Sequence, residues 1–186
     1  MQVKKAIRYA VILLLTAGLN QACEAQSKEE TLQWIKLRLP YATATKTDLA
    51  GINTDTLGYH DVVVNGCSLS FVKKETISDY EGAGNKGLQE TVITVPLGRL
   101  SVVDSVHGAD DDWEGDSVEL KAFDKIIAMK WTIQKSDNNG RPTGTESGSA
   151  RTSEFDVVTS DRDFAKRLAK ALAHANELCG AKKETF

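Results

Sequence analysis

Basic charge, aromatic rings, histidines and cysteines are all scarce in this 186-residue chain, and each shortage removes a class of function. Lys and Arg number 23 against 26 Asp and Glu, a formal charge of −3. A phosphate-binding surface needs a basic excess, so nucleic acid is not an expected partner. Aromatic residues are 6% of the chain, too few to line a sugar cleft around the paired carboxylates of glycoside chemistry. The three histidines, His60, His107 and His174, are far apart, and none stands at a zinc spacing from a cysteine or another histidine. A Gly-x-Ser-x-Gly elbow is missing, and the serines of Glu146-Ser147-Gly148-Ser149 read as a flexible loop. Glu81-Gly82-Ala83-Gly84-Asn85-Lys86-Gly87 is glycine-rich but lacks the lysine-serine ending of a nucleotide loop. No internal repeat or heptad run is present, no cofactor motif is complete, and no catalytic set emerges.

The one long apolar run is at the start. Lys4, Lys5 and Arg8 precede Tyr9 to Leu19, a stretch too short for a membrane helix of about 20 residues but suited to an export core of roughly 7 to 15. Residues 1–25 are therefore expected to be a bacterial-type signal peptide, leaving a periplasmic or secreted protein with no membrane span. Two cleavage sites compete. An ordinary peptidase would cut after Ala25, leaving Gln26 first; alternatively, Leu19-Asn20-Gln21-Ala22-Cys23 is a degenerate lipoprotein box, in which cleavage after Ala22 would leave Cys23 lipidated and the protein membrane-anchored. Either way Cys23 is spoken for, and Cys67 and Cys179 remain as one candidate disulfide in an oxidising compartment. Removing the leader also makes the chain more acidic, since 20 basic residues (23 − 3) face 25 acidic ones (26 − 1).

Residues 26–57 read as an N-terminal helix and a connection. Ser27 and Glu30 form a capping box, Leu32, Ile35 and Leu39 recur at near-helical spacing, and Pro40 ends the helix. Tyr41 to Leu57 has no clear period. Residues 58–180 form a single β-rich domain whose period changes to two, the mark of strands with one buried face. Strands are expected at Tyr59–Val64, Cys67–Phe71, Glu90–Leu97, Ser117–Phe123, Ile126–Gln134 and Glu154–Val158, with a hairpin signal at Asn65-Gly66 and a tight turn at Asp124-Lys125. Ser78–Gly87, Gly98–Asp116 and Ser136–Ser153 read as long loops. A closing helix runs from a Ser160 cap to Gly180, with Phe164, Leu168, Ala171, Leu172, Ala175, Leu178 and Cys179 on one face. A polar tail, 181–186, follows.

The expected fold is thus α+β: an N-terminal helix, then an antiparallel meander of about six or seven strands forming a curled sheet or barrel, closed by an amphipathic helix. This order, from Tyr59 to Leu178, resembles the pleckstrin-homology-like barrel. Val95-Pro96-Leu97-Gly98-Arg99-Leu100-Ser101-Val102-Val103 is similar to that family's mid-barrel strand and bend, and Phe155 to Leu178 to its last strand and helix. Lipid-binding members carry clustered basic residues in the first hairpin, where this chain has Val64-Asn65-Gly66-Cys67-Ser68, so phosphoinositide binding is not implied. A cystatin-like or lipocalin-like sheet on a helix is the alternative.

One polar cluster invites a chemical reading. Asp110, Asp112 and Glu114 before Gly115 imitate the start of a calcium loop, but Lys121 occupies the position of the bidentate glutamate, so 110–116 reads as a solvated acidic loop. The functional expectation is a non-catalytic binding or interaction module of the cell envelope, with an envelope protein or small ligand as partner. Its contact surface would be one end carrying Asn65-Gly66, the acidic loop and Ser136–Ser153, provided Leu100–Val103 adds no full strand. The alternatives are a hydrolytic enzyme using acidic-loop carboxylates with His107, and a structural component anchored through Cys23.

Overall fold

The computed structural model describes residues 27–47, 54–80, 85–107, 113 and 115–181. The expected leader with Cys23, most of the acidic cluster and residues 182–186 of the polar tail lie outside the described residues.

Helix α1 (Lys28–Arg38) starts where its capping box dictates: the Glu30 amide donates to Ser27 Oγ (3.2 Å) and the Ser27 amide donates back to the Glu30 carboxylate (2.9 Å). Thr31, Leu32 and Ile35 are buried, and Pro40 converts the chain to a 3-10 turn at Leu39–Tyr41. Among the described residues nine strands follow: β1 (Thr43–Thr47), β2 (Thr54–Asn65), β3 (Ser68–Tyr80), β4 (Asn85–Pro96), β5 (Leu100–His107), β6 (Asp116–Ala122), β7 (Ile127–Ser136), β8 (Pro142–Thr152) and β9 (Glu154–Thr159). Helix α2 (Arg162–Leu178) ends the domain.

The strands form two antiparallel sheets, a six-stranded one in the order β1-β2-β3-β4-β7-β8 and a three-stranded one in the order β5-β6-β9. The apparent crossovers vanish once the bends are recognised. β4 and β5 are a single pass of chain bent at the 3-10 turn Leu97–Arg99, β6 and β7 a second bent at Phe123–Ile126, and β8 and β9 a third bent at Ser153. Each pass pairs with the next in both sheets, and the Ala122 amide donates to the Ser153 carbonyl (2.8 Å) at the shared corner. The fold is therefore an antiparallel meander whose last three passes turn from the large sheet into the small one, the corner device of sheets packed at a steep angle.

Several expected boundaries need correction. Asp124-Lys125 is the corner of one pass rather than a hairpin turn, since β6 and β7 lie in different sheets. β5 is a full strand inside the expected Gly98–Asp116 loop; a register shift between Leu100 and Val102 breaks its alternation, so that Leu100 and Val103 face the same side, opposite Ala122 and Leu120. β8 lies inside the expected Ser136–Ser153 loop. It is exposed almost throughout, so no apolar period marks it, and backbone pairing to β7 makes it a strand. β1 likewise replaces part of an expected connection. No closed barrel forms among the described residues; the Ser160 amide, donating to the Thr43 carbonyl (2.8 Å), joins the end of β9 to β1. The cap of α2 is Asp161 rather than Ser160: the Asp161 carboxylate accepts from the Phe164 amide (2.9 Å). Gly180, at φ +90°, ends the helix as expected.

The core lies between the sheets and beneath the helices. Leu32, Ile35 and Leu39 meet Phe164, Leu168 and Leu172, and Leu69, Phe71, Ile93 and Val95 of the large sheet meet Val118, Leu120, Phe155 and Val157 of the small one. Trp34 stacks on Phe164 with centroids 6.5 Å apart, and Phe71 touches Phe155 at 5.8 Å. Cys67, in the β2–β3 turn, is bridged to Cys179 at the end of α2, with Cα atoms 5.6 Å apart across 112 residues of sequence. Gly98 must be glycine here, because a Cβ would run into the carbonyl of Cys179. Such a bridge persists in oxidising compartments. Among the described residues no helix is long and apolar enough to cross a membrane.

Candidate functional site

The two sheets differ in length, and that difference leaves the site. β3 has 13 residues and β6 has 7, spans of about 43 and 23 Å at roughly 3.3 Å per residue. The small sheet therefore covers only part of the large one. Register shows what lies on the core-facing side as cover runs out. Phe71, Ile93, Met129 and Ala150 form one cross-strand row; Tyr59, Lys73, Thr91, Trp131 and Gly148 form the next; Leu57, Glu75, Gln89, Ile133 and Glu146 the third. Side chains in phase with the core thus change from apolar to charged within two rows.

These polar groups are partly sheltered and paired. Lys73 Nζ lies 2.8 Å from Glu75 Oε2, and both side chains are only about one-fifth exposed (22% and 19%). Gln89 Nε2 donates to Thr91 Oγ1 (3.1 Å), which is buried, and Lys135 Nζ donates to Glu146 Oε1 (2.7 Å). The Trp131 indole lies flat across Gly148 of the edge strand, in space a Cβ would occupy. Tyr59 anchors the small sheet over this surface: its buried hydroxyl accepts from the Val158 amide of β9 (2.9 Å), and its ring meets Phe71 edge-on at 5.7 Å. Burial drives the Tyr59 phenol far above the usual tyrosine range, with Glu75 and Asp156 adding to the effect against the lowering bond from Val158.

Where β9 passes over Lys73 and Met129, a cleft of about 370 Å³ opens. Glu154, Phe155, Asp156 and Val158 form one wall, with Ser117 of β6, Thr152 of β8 and the Trp113 ring completing it. Beyond the wall, Lys121 lies opposite Glu154, and Glu119 opposite Asp156. Lys121 is held above the usual lysine range, chiefly by its bond to Glu119 (2.6 Å) and further by Glu154 and Asp156.

The chain matches no protein-family model, no curated protein and no solved structure. Its chemistry is therefore read from this cleft alone.

Of the residues singled out in the sequence, Cys67 and Cys179 are brought together, and Cys23 lies outside the described residues. His107 stands opposite Asp116 in the β5–β6 ladder, while Asp110, Asp111, Asp112 and Glu114 are outside the described residues. His60 Nδ1 bonds to the Asp61 carboxylate (2.9 Å) at a bulge where Asp61 takes φ +50°. His174 is on α2. The expected single-ended contact surface does not form. β5 is a full strand, and Asn65-Gly66 lies by Ser68 and Pro96, at the opposite end of the large sheet from the β7–β8 turn beside Lys86 and Ser136. Among the described residues no group of three His, Cys, Asp or Glu is placed to hold a metal ion. Lys73, Glu75, Trp113, Trp131, Glu154 and Asp156 were not anticipated. The available signal was phase: Lys73 and Glu75 continue the buried alternation of Leu69 and Phe71, a place where a charge needs a reason.

Proposed function

We propose that the protein is an exported, non-catalytic binding module of the cell envelope, whose ligand enters the cleft between β9 and the core-facing side of β3 and β7. The observation that carries this reading is the lining itself. Lys73, in phase with the buried Leu69 and Phe71, stands with Trp113, Met129 and Phe155 around a concave space of ligand size, where ordinary packing would place an aliphatic residue. Lys73 and Glu75 are bonded to each other, an arrangement that fixes their positions for recognition. The Cys67–Cys179 bridge supports export to the periplasm or beyond, by a leader cleaved after Ala25 or by lipidation of Cys23. The succession of antiparallel strands, mid-domain bend and closing helix supports kinship with pleckstrin-homology-like domains in element order.

The test is affinity capture from envelope extract with the mature domain and with Glu154→Trp, which fills the cleft from an exposed wall position. A partner or ligand retained by the native domain and lost by the variant is expected. Equal capture by both would overturn the cleft as the binding site.

A further inference from the structure

We propose, independently of the cleft, that the free edge of β8 is an interface on which a second copy of this chain pairs strand to strand, joining two six-stranded sheets into one. A strand edge carries unpaired amides and carbonyls, and a folded domain ordinarily covers or blunts them. Three of the four sheet edges engage another part of the chain. On β1 the Thr43 carbonyl takes the Ser160 amide, on β9 the Val158 amide is bonded to the Tyr59 hydroxyl, and on β5 the Leu100 carbonyl accepts from Asn176 Nδ2 (3.1 Å) of α2. β8 ends the large sheet with no strand beyond it among the described residues. It also lacks the usual defences of an edge. Its register with β7 runs unbroken from Gly144 to Thr152, and Pro142 stands before that run. Thr, Ser, Gly and Ala fill the run apart from Glu146 and Arg151, and the Glu146 carboxylate is drawn back to Lys135 of β7 (2.7 Å).

Register dictates how a copy pairs. The Leu97 amide bonds to the Cys67 carbonyl (2.8 Å), and alternation from that bond across the β3–β4, β4–β7 and β7–β8 ladders turns the backbone groups of Thr145, Ser147, Ser149 and Arg151 to the free edge. A two-fold antiparallel pair must set these residues against one another. Centring it on Gly148 does so: Thr145 meets Arg151 of the copy and Ser147 meets its Ser149, with about eight hydrogen bonds in all. No like charges then stand opposite each other. On the core-facing side glycine meets glycine, and the two Trp131 rings, each lying across its own Gly148, come together over the axis. The same register carries the exposed Arg141 of one copy towards the Ser153 corner of the other, where Glu154 is exposed. This self-complementarity favours a copy of the chain over a foreign strand.

The test is sedimentation equilibrium of the mature, disulfide-bonded protein. A contact one strand pair wide belongs to the small, transient class of interfaces, so a monomer at about 1 µM should become a dimer by about 500 µM. Ser149→Pro removes an edge amide without touching the β7 ladder and should weaken dimerisation at least about tenfold. Two charged variants make the test independent of any effect of proline on folding. Ser147→Lys/Ser149→Lys and Ser147→Glu/Ser149→Glu each set like charges opposite one another across the axis, and both replace exposed serines. Each is expected to stay monomeric, and an equimolar mixture of the two to dimerise. A wild type that is monomeric throughout, a dimer unchanged in folded Ser149→Pro or in either charged variant, or a mixture that fails to associate overturns the proposal.

Discussion

Replacing Tyr59 by phenylalanine removes one oxygen from the centre of the fold and should weaken the domain in a pH-dependent way. The ring and its contact with Phe71 survive the change. The Val158 amide, in a strand position only 8% exposed, loses its acceptor. An unsatisfied buried amide costs about 1–3 kcal/mol, and in a domain of this size each kcal/mol moves the melting temperature by about 2–4 °C, so at pH 7 a drop of roughly 2–12 °C is expected. The pH dependence follows from the raised pKa of the buried phenol. A group whose folded pKa lies above its unfolded value of about 10 stabilises the fold fully below that value and loses the contribution as pH rises, because only the unfolded chain then releases its proton. Above pH 10 the wild type should therefore lose about 1.4 kcal/mol per pH unit that the phenylalanine variant does not, and the gap between the two should close. Urea titrations of both proteins at pH 7, 9, 10.5 and 11 measure this directly. A gap that is absent at pH 7, or that stays constant from pH 9 to pH 11, would refute the buried hydroxyl as the tie between the sheets.

Two further perturbations probe the frame around the cleft. Reducing the Cys67–Cys179 bridge, or replacing both cysteines by serine, opens a closed loop of more than a hundred residues and should cost about 4–5 kcal/mol by the chain-entropy account, read as a lower urea midpoint with and without reductant. Gly148→Ala places a methyl where the Trp131 ring lies, so the ring must leave the edge strand; a shifted tryptophan emission maximum with about 1–3 kcal/mol lost is expected, and an unchanged spectrum and stability would contradict the ring's position.

What could be read from the residues divides along physical lines. The capping box at Ser27, the alternation of Leu69 with Phe71 and the apolar stripe of α2 are local signals, and local chemistry decides those elements. The disulfide was legible by elimination, since the expected leader either takes Cys23 with it or leaves it acylated. β8 was not legible, because an edge strand exposed on both sides needs no apolar residues and its Thr, Ser and Gly look like a loop. β5 was obscured by the register shift that breaks its alternation. The bent passes were hidden for a third reason: a strand that changes sheets carries two unrelated burial patterns, and Phe123-Asp124-Lys125 looks like the turn of a hairpin until pairing shows otherwise. The cleft depends on all three, because it opens where the long rows of the large sheet outrun the small one. Its residues come from β3, β6, β7, β8, β9 and Trp113 ahead of β6, and only the packing of one sheet on the other brings Lys73 near Glu154 and Asp156.

Amide hydrogen exchange of the mature domain, alone and with the ligand retained in the capture experiment, tests the cleft most directly. Binding should slow exchange at residues 154–158 of β9 and 73–75 of β3, with quenching of tryptophan emission. Protection confined to the β2–β3 turn and the Cys67–Cys179 bridge, with β9 unchanged, would contradict the cleft as the working surface of this protein.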